Sequence, residues 1–272
     1  MTASKLRVLI FGAHPDDPDG RSGGTAALYA RGGHTVKMVS LTNGDAGHMW
    51  EGGAPLAWRR RIEAANSGKV LGAEYITLDS HDGMLMPLLE VRNEVIAIVR
   101  NFKPDLVICP RMWDYHPDHR ACGVVVVDAM YMATVPNVVS GAEHLRKMPV
   151  IAYCYDQFQK PYPVQPDVVV DISPVLDQKI DALACHVSQM YEWLPYNRSA
   201  MGEVPEGAAE RRAWLKAWYG GRAAQQAAKF RAELVARYGE QRGQACVAAE
   251  TYEGSEYGSP LTAENKDILF PF

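Results

Sequence analysis

The first half of this 272-residue chain predicts an α/β fold, a Rossmann-like three-layer sandwich around a mostly parallel central sheet. Apolar, β-type runs recur at 8–11, 36–41, 75–78 and 106–109. Helical patterns lie between them, at 24–31, 56–71 and 88–101. Strict alternation of this kind makes each strand parallel to the last, with helices on both faces of the sheet. Breakers stand where such elements must end: Gly32-Gly33 after the first helix, Gly72 after the second, and Phe102-Lys103-Pro104 after the third.

Each strand is a short run of Val, Ile, Leu and Phe, the composition of a strand buried on both faces. Two further strand patterns, 150–155 and 168–172, flank a proline-rich connection and extend the sheet; a helix from about 174 to 192 follows. Residues 205–238 are rich in Ala, Arg and Glu with apolar residues at helical spacing, which predicts a surface helix. The segment from Ala248 to the end reads as a docked tail. The chain is therefore expected to be one domain, 1–272, with a C-terminal helical extension and tail at about 200–272.

Composition narrows the functions. Hydrophobic residues make up 47% and charged residues 22%, enough to bury a large core without staples. A net charge of −4 with scattered Lys and Arg gives no footprint for nucleic acid. Five widely spaced cysteines without a C-x-x-C fit reduced thiols. The short apolar run before His14 is neither a signal-peptide core nor a membrane span, so the expectation is a cytoplasmic protein without a membrane partner.

Ligands of open α/β sheets bind beyond the carboxyl ends of the strands. Two polar motifs follow strands here: His14-Pro15-Asp16-Asp17 after the first, and Asp114-Tyr115-His116-Pro117-Asp118-His119 after the fourth. In a 3-2-1-4 strand order these ends are neighbours at the topological switch point. Catalytic zinc takes three protein ligands from His and carboxylate and leaves one position open, a set that His14, Asp17 and His119 supply. Asp16, pointing away from its neighbour, is then free to act as general base, and His116 to stabilise an oxyanion or protonate a leaving amine. Asp118 or Asp114 fixes an imidazole tautomer. Singly, Asp-Asp after a strand is often only a helix cap and H-x-x-H a surface pair; two such clusters at adjoining strand ends point to a metal site.

Gly12-Ala13-His14-Pro15-Asp16-Asp17, Gly23-Gly24-Thr25 and His116-Pro117-Asp118-His119 together resemble the PIG-L (LmbE-like) N-deacetylases. The resemblance extends to Leu41-Thr42-Asn43-Gly44-Asp45, Asp82-Gly83 and the segment from Ala184 to Gln189. It implies a hydrolase that removes an acetyl or related acyl group from the nitrogen of a small molecule such as an amino sugar, a linear amide. It also implies Zn2+ or another divalent metal such as Fe2+, and a homo-oligomer, trimer or hexamer. By motif, the resemblance makes His14, Asp17 and His119 metal ligands, Asp16 the base and His116 the acid or oxyanion stabiliser. Asp82 falls where related enzymes contact a sugar hydroxyl; Arg60, Asn43, Asp45 and Trp113 are further substrate-contact candidates. The chain departs from the family pattern after Asp17, where Pro18-Asp19-Gly20-Arg21-Ser22 replaces the usual Glu, apolar pair and Gly-Cys. Ligands are unaffected, but Pro18 reshapes the turn and Arg21 adds a cation near the pocket mouth, so the change bears on substrate choice.

Overall fold

The computed structural model describes residues 5–272. Strand β1 (Arg7–Gly12) alternates its side chains between two faces. Val8 and Ile10 join Val36, Met38, Leu106 and Ile108 in one core with Ala26, Ala27 and Tyr29 of helix α1 (Asp17–Arg31). Leu9 and Phe11 join Val39, Leu41 and Val107 in a second core, which α3 (Leu89–Phe102) and α4 (Pro117–Met132) cover with Val95, Val99, Val125 and Val126. These two cores are the two faces of one sheet.

β2 (Thr35–Thr42), β3 (Glu74–Ser80), β4 (Leu106–Cys109) and β5 (Val150–Cys154) run parallel to β1, as the alternation predicts. Helix α2 (Gly53–Leu71) ends on Gly72 at φ 75°, a left-handed position where glycine carries no Cβ penalty. The sheet order is β3-β2-β1-β4-β5-β7-β6, so β1 and β4 adjoin at the switch point.

Four expectations need correction. The first helix begins at Asp17 and kinks at Ser22, rather than starting at Gly24, because Pro18 occupies its first turn, where a missing N–H costs nothing. The long helix after β6 (Val168–Asp171) is broken. Its α5 (Leu176–Ala184) gives way to a π-turn at Ser188–Trp193, where the Ser188 amide and hydroxyl both donate to Glu63. Short α6 (Leu194–Asn197) precedes the predicted surface helix, which is in fact α7 (Ala208–Lys229) and α8 (Arg231–Tyr238), with Leu215, Tyr219, Ala223, Ala227 and Leu234 buried. After α9 (Glu240–Ala245), the expected tail supplies strand β7 (Ala249–Gly254), which inserts antiparallel between β5 and β6; α10 (Lys266–Leu269) follows, beside the buried Phe270.

β7 holds α1 in place. Buried Glu250 accepts from the amides of Gly24 and Thr25 and pairs with Lys179 at 2.6 Å. Gly24 lies so close to Ile172 that a Cβ would meet three of its side-chain carbons at 2.8 Å, while a Cβ on Gly221 of α7 would meet nothing within 4 Å. Gly24→Ala is therefore expected to lose about 1–3 kcal/mol by overpacking. Gly221→Ala should gain about 0.5–1 kcal/mol from helix propensity. Urea unfolding midpoints read both signs.

Candidate metal centre

β1 ends in Gly12, and the chain turns at once so that His14 and Asp17 face the end of β4. The turn is set by backbone bonds: the Asp16 and Asp17 amides both donate to the His14 carbonyl, and Asp17 Oδ2 accepts from the amides of Ala13 and His14 at 3.0 and 2.8 Å. Asp16 stands at the helix N-cap, yet its side chain makes no capping bond. Its Oδ1 accepts from Arg60 Nη2 at 2.9 Å instead. The capping explanation for this Asp-Asp pair is thereby excluded.

Across the switch point, His119 Nε2 lies 3.3 Å from Asp17 Oδ2, and His14 Nδ1 lies 3.3 Å from the same oxygen. Two ligands bound to one tetrahedral ion at about 2.0 Å are separated by about 3.3 Å, so each of these two pairs has the spacing of neighbouring ligands on one ion. The remaining nitrogens are backed by carboxylates, one set for each ring. His14 Nε2 faces Asp118 Oδ2 at 3.1 Å and Asp82 Oδ1 at 3.2 Å; His119 Nδ1 faces Asp114 Oδ2 at 3.1 Å. This is the carboxylate–histidine support that fixes the tautomer of a metal ligand. The sequence offered Asp118 or Asp114 for that role; the structure brings in both, on different imidazoles.

Charge points the same way. Burial would push His14 down, but its bonds to Asp118, Asp17 and Asp82 hold it well above the usual histidine value. Burial would raise Asp17, yet the His119 and His14 imidazoles hold it well below the usual carboxylate range. A raised imidazole beside a lowered carboxylate marks a cluster rich in negative charge, which suits a cation.

Three imidazoles, His14, His116 and His119, also offer nitrogens within 4.8 Å of one another, so His116 competes as a ligand. Its hydrogen bond favours a donor role instead. His116 Nδ1 accepts from the Asp118 amide at 3.2 Å, which places the proton of a neutral ring on Nε2 and makes that nitrogen a donor. Burial, then the neighbouring His14 and His119, pushes its pKa down and keeps the ring neutral. The group formed by His14, Asp82 and Asp118 is explained in turn by the His14 Nε2 proton shared between two acceptors.

The other candidates surround this centre. Arg60 is 2% exposed and spans Asp16, Asp82 and the Gly44 carbonyl, so it is a strut inside the site and not a solvated charge at a helix start. Asp45 accepts from the Asp82 amide through Oδ1 and meets His81 Nδ1 through Oδ2, and Asn43 Oδ1 accepts from the Asp45 amide. Trp113 is half-exposed. Arg21 lies behind His119, its Nη2 3.2 Å from Asp114 Oδ2 and 3.3 Å from His119 Nδ1, deeper than a pocket-mouth cation. His186 is fully buried on Asp19 at 2.5 Å. Sequence reading missed Asp19 as its partner; the signal was a second acidic residue in the first turn of a buried, glycine-rich helix.

The family model for the PIG-L GlcNAc-PI de-N-acetylases matches residues 9–130, which include both motifs. The diacetylchitobiose deacetylase of Thermococcus kodakarensis is 33% identical over 210 residues, 71% of this chain and 75% of that one. The chain belongs to the PIG-L family. Another relative is the 4-oxalmesaconate hydratase of Pseudomonas putida, 27% identical over 74% of this chain and 81% of its own. Among solved structures, the N,N'-diacetylchitobiose deacetylase from Pyrococcus horikoshii superposes with a TM-score of 0.70 and 24% identity, covering 92% of this chain and 84% of that one, and so shares the fold. No helix among the described residues of this PIG-L protein is long and apolar enough to cross a membrane.

Proposed function

We propose that this PIG-L protein is a metal-dependent amidohydrolase that removes an acetyl or other acyl group from the nitrogen of a small molecule such as an N-acetyl amino sugar. The observation that supports it most is the position of Asp16: next to ligand Asp17, bonded to Arg60 through Oδ1, with Oδ2 left without a partner among the described residues. That is a general base beside a Lewis-acid site. His14, Asp17 and His119 would hold one divalent ion, zinc by donor set, which polarises the acyl carbonyl and lowers the pKa of the attacking water.

Asp16 Oδ2 takes the water proton as the water oxygen bonds to the carbonyl carbon. His116 Nε2–H donates to the oxygen on which charge develops. Collapse breaks the C–N bond, the proton held by Asp16 passes to the departing nitrogen, and acetate and free amine result. Arg60 holds Asp16 and Asp82 in register, while Asp118 and Asp114 keep the ligand imidazoles oriented.

A second reading adds water to an unsaturated acid on the same centre. The hydratase relative favours it. Zinc-loaded protein tested on N-acetyl sugars, N-acyl amino acids, esters and unsaturated dicarboxylates separates the two. Release of amine and acetate in equal amounts is the expected result; loss of a conjugated double bond without amine release would replace hydrolysis by hydration. The same reading places the enzyme in the cytoplasm, consistent with five free cysteines, as a homo-oligomer, trimer or hexamer, which light scattering measures.

A further inference from the structure

The π-turn at Ser188–Trp193 lies outside the metal centre, yet its polar side chains grip the two segments that hold Asp16, helix α2 and the loop between β2 and α2. Turns of this kind inside helical segments often mark functional positions. Ser188 is bound to Glu63, one turn beyond Arg60 on α2. Glu192 pairs with Arg59 at 2.8 Å and with His48 at 2.9 Å, the residues next to Arg60 and Gly47. Gln189, itself buried, donates from Nε2 to the Gly47 carbonyl at 2.9 Å. Gly47 in turn lies directly on the Arg60–Asp82 ion pair: a Cβ there would meet Arg60 Nη1 at 2.7 Å and Asp82 Oδ2 at 2.9 Å. The same loop gives Arg60 Nη1 the Gly44 carbonyl at 3.0 Å. Arg60 Nε has no hydrogen-bond partner among the described residues, so Nη1 and Nη2 carry its anchorage.

We propose that Gln189 is a positioning residue for the general base: it holds the Gly47 backbone against Arg60 and Asp82, and through Arg60 it fixes the direction of Asp16. The inference rests on the hydrolase reading for the role of Asp16 and on these contacts for the linkage. Without the Gln189 donor the Gly47 carbonyl must turn to water for a partner, which lifts the loop from the ion pair it covers. Water then reaches the guanidinium, and the Nη2 bond that Asp16 Oδ1 depends on, 2.9 Å long, loses its fixed direction. A base displaced by a fraction of an ångström costs rate rather than binding. The metal ligands are spared, because His14 Nε2 keeps Asp118 at 3.1 Å even if Asp82 shifts.

The test uses zinc-loaded protein and Gln189→Met, which keeps the length of the side chain and removes the donor. Metal content and the urea midpoint should stay near wild type, while kcat on N-acetyl sugars or N-acyl amino acids falls about tenfold and KM stays within about twofold, the loss of one hydrogen bond read in the rate. In protein carrying 15N-arginine, the Arg60 guanidinium protons, assigned with Arg60→Lys, should exchange with solvent about tenfold faster. In an Asp16→Asn background the same substitution should cost no further turnover, because the base it positions is gone. Unchanged Arg60 exchange overturns the proposal whatever happens to turnover, and so does an undiminished tenfold loss on top of Asp16→Asn. Should Gln189→Met fail to fold, Gly47→Ala presses on the same ion pair from the loop side and carries the same expectations. If wild-type protein releases no amine from any of these probes, the hydrolase reading has failed, and Arg60 exchange alone decides the linkage: faster exchange in the variant supports it, and an unchanged rate rejects it.

Discussion

Asp16→Asn is expected to keep its full metal content and lose turnover by about 10²–10⁴-fold, the range for removal of a general base. The substitution separates two jobs that adjacent carboxylates perform. Asp17 meets both ligand histidines at 3.3 Å, whereas Asp16 is bound to Arg60 and meets neither. Asparagine keeps the oxygen that Arg60 needs, so the strut to Asp82 and Gly44 survives while basicity is lost. Elemental analysis and amine release, measured on one preparation, read both consequences. Turnover within a few-fold of wild type would end the assignment of Asp16 as base, and loss of metal would place Asp16 among the ligands.

The parts of this centre that sequence revealed are those set by local rules. Val8, Leu9, Ile10 and Phe11 read as a doubly buried strand because Val8 and Ile10 face one core and Leu9 and Phe11 the other. Gly72 ends α2 because the chain there needs φ 75°. With β1 and β4 at the switch point, the motifs after them meet. What stayed hidden depends on distant partners. β7 reads as a polar tail because Glu250 and Glu253 interrupt its apolar pattern. Glu250 is buried only because Lys179 and the amides of Gly24 and Thr25 satisfy it. Arg60 reads as one charge in an Arg-Arg-Arg run, and becomes the buried member because Asp16, Asp82 and the Gly44 carbonyl arrive from three other loops. Arg59 and Arg61, lacking that meeting point, stay more exposed on ion pairs with Glu51 and Asp79. Sequence reading assigns His119 to the metal and His116 to the reacting oxygen; the Asp118 amide that donates to His116 Nδ1 supports that division, because it leaves the ring's proton on Nε2.

That bond also ranks three substitutions on α4 and the loop before it. His119→Ala removes one of three ligands and should leave the purified protein nearly free of metal. The loss should exceed the roughly 10–100-fold drop in affinity expected when only a supporting carboxylate is removed, as in Asp114→Ala. His116→Ala, in contrast, should keep the metal and lower kcat by about 10²–10³-fold, as for the loss of one oxyanion donor. The order follows from which atom each ring offers. His119 presents Nε2 to Asp17 and rests Nδ1 on Asp114, so its free lone pair faces the centre. His116 spends its lone pair on the Asp118 amide and presents a proton. Metal titration of the three variants reads the ranking directly. Were His116→Ala to lose the ion while His119→Ala kept it, the two rings would exchange roles, and the Asp118 amide would be stabilising a helix end rather than selecting a tautomer.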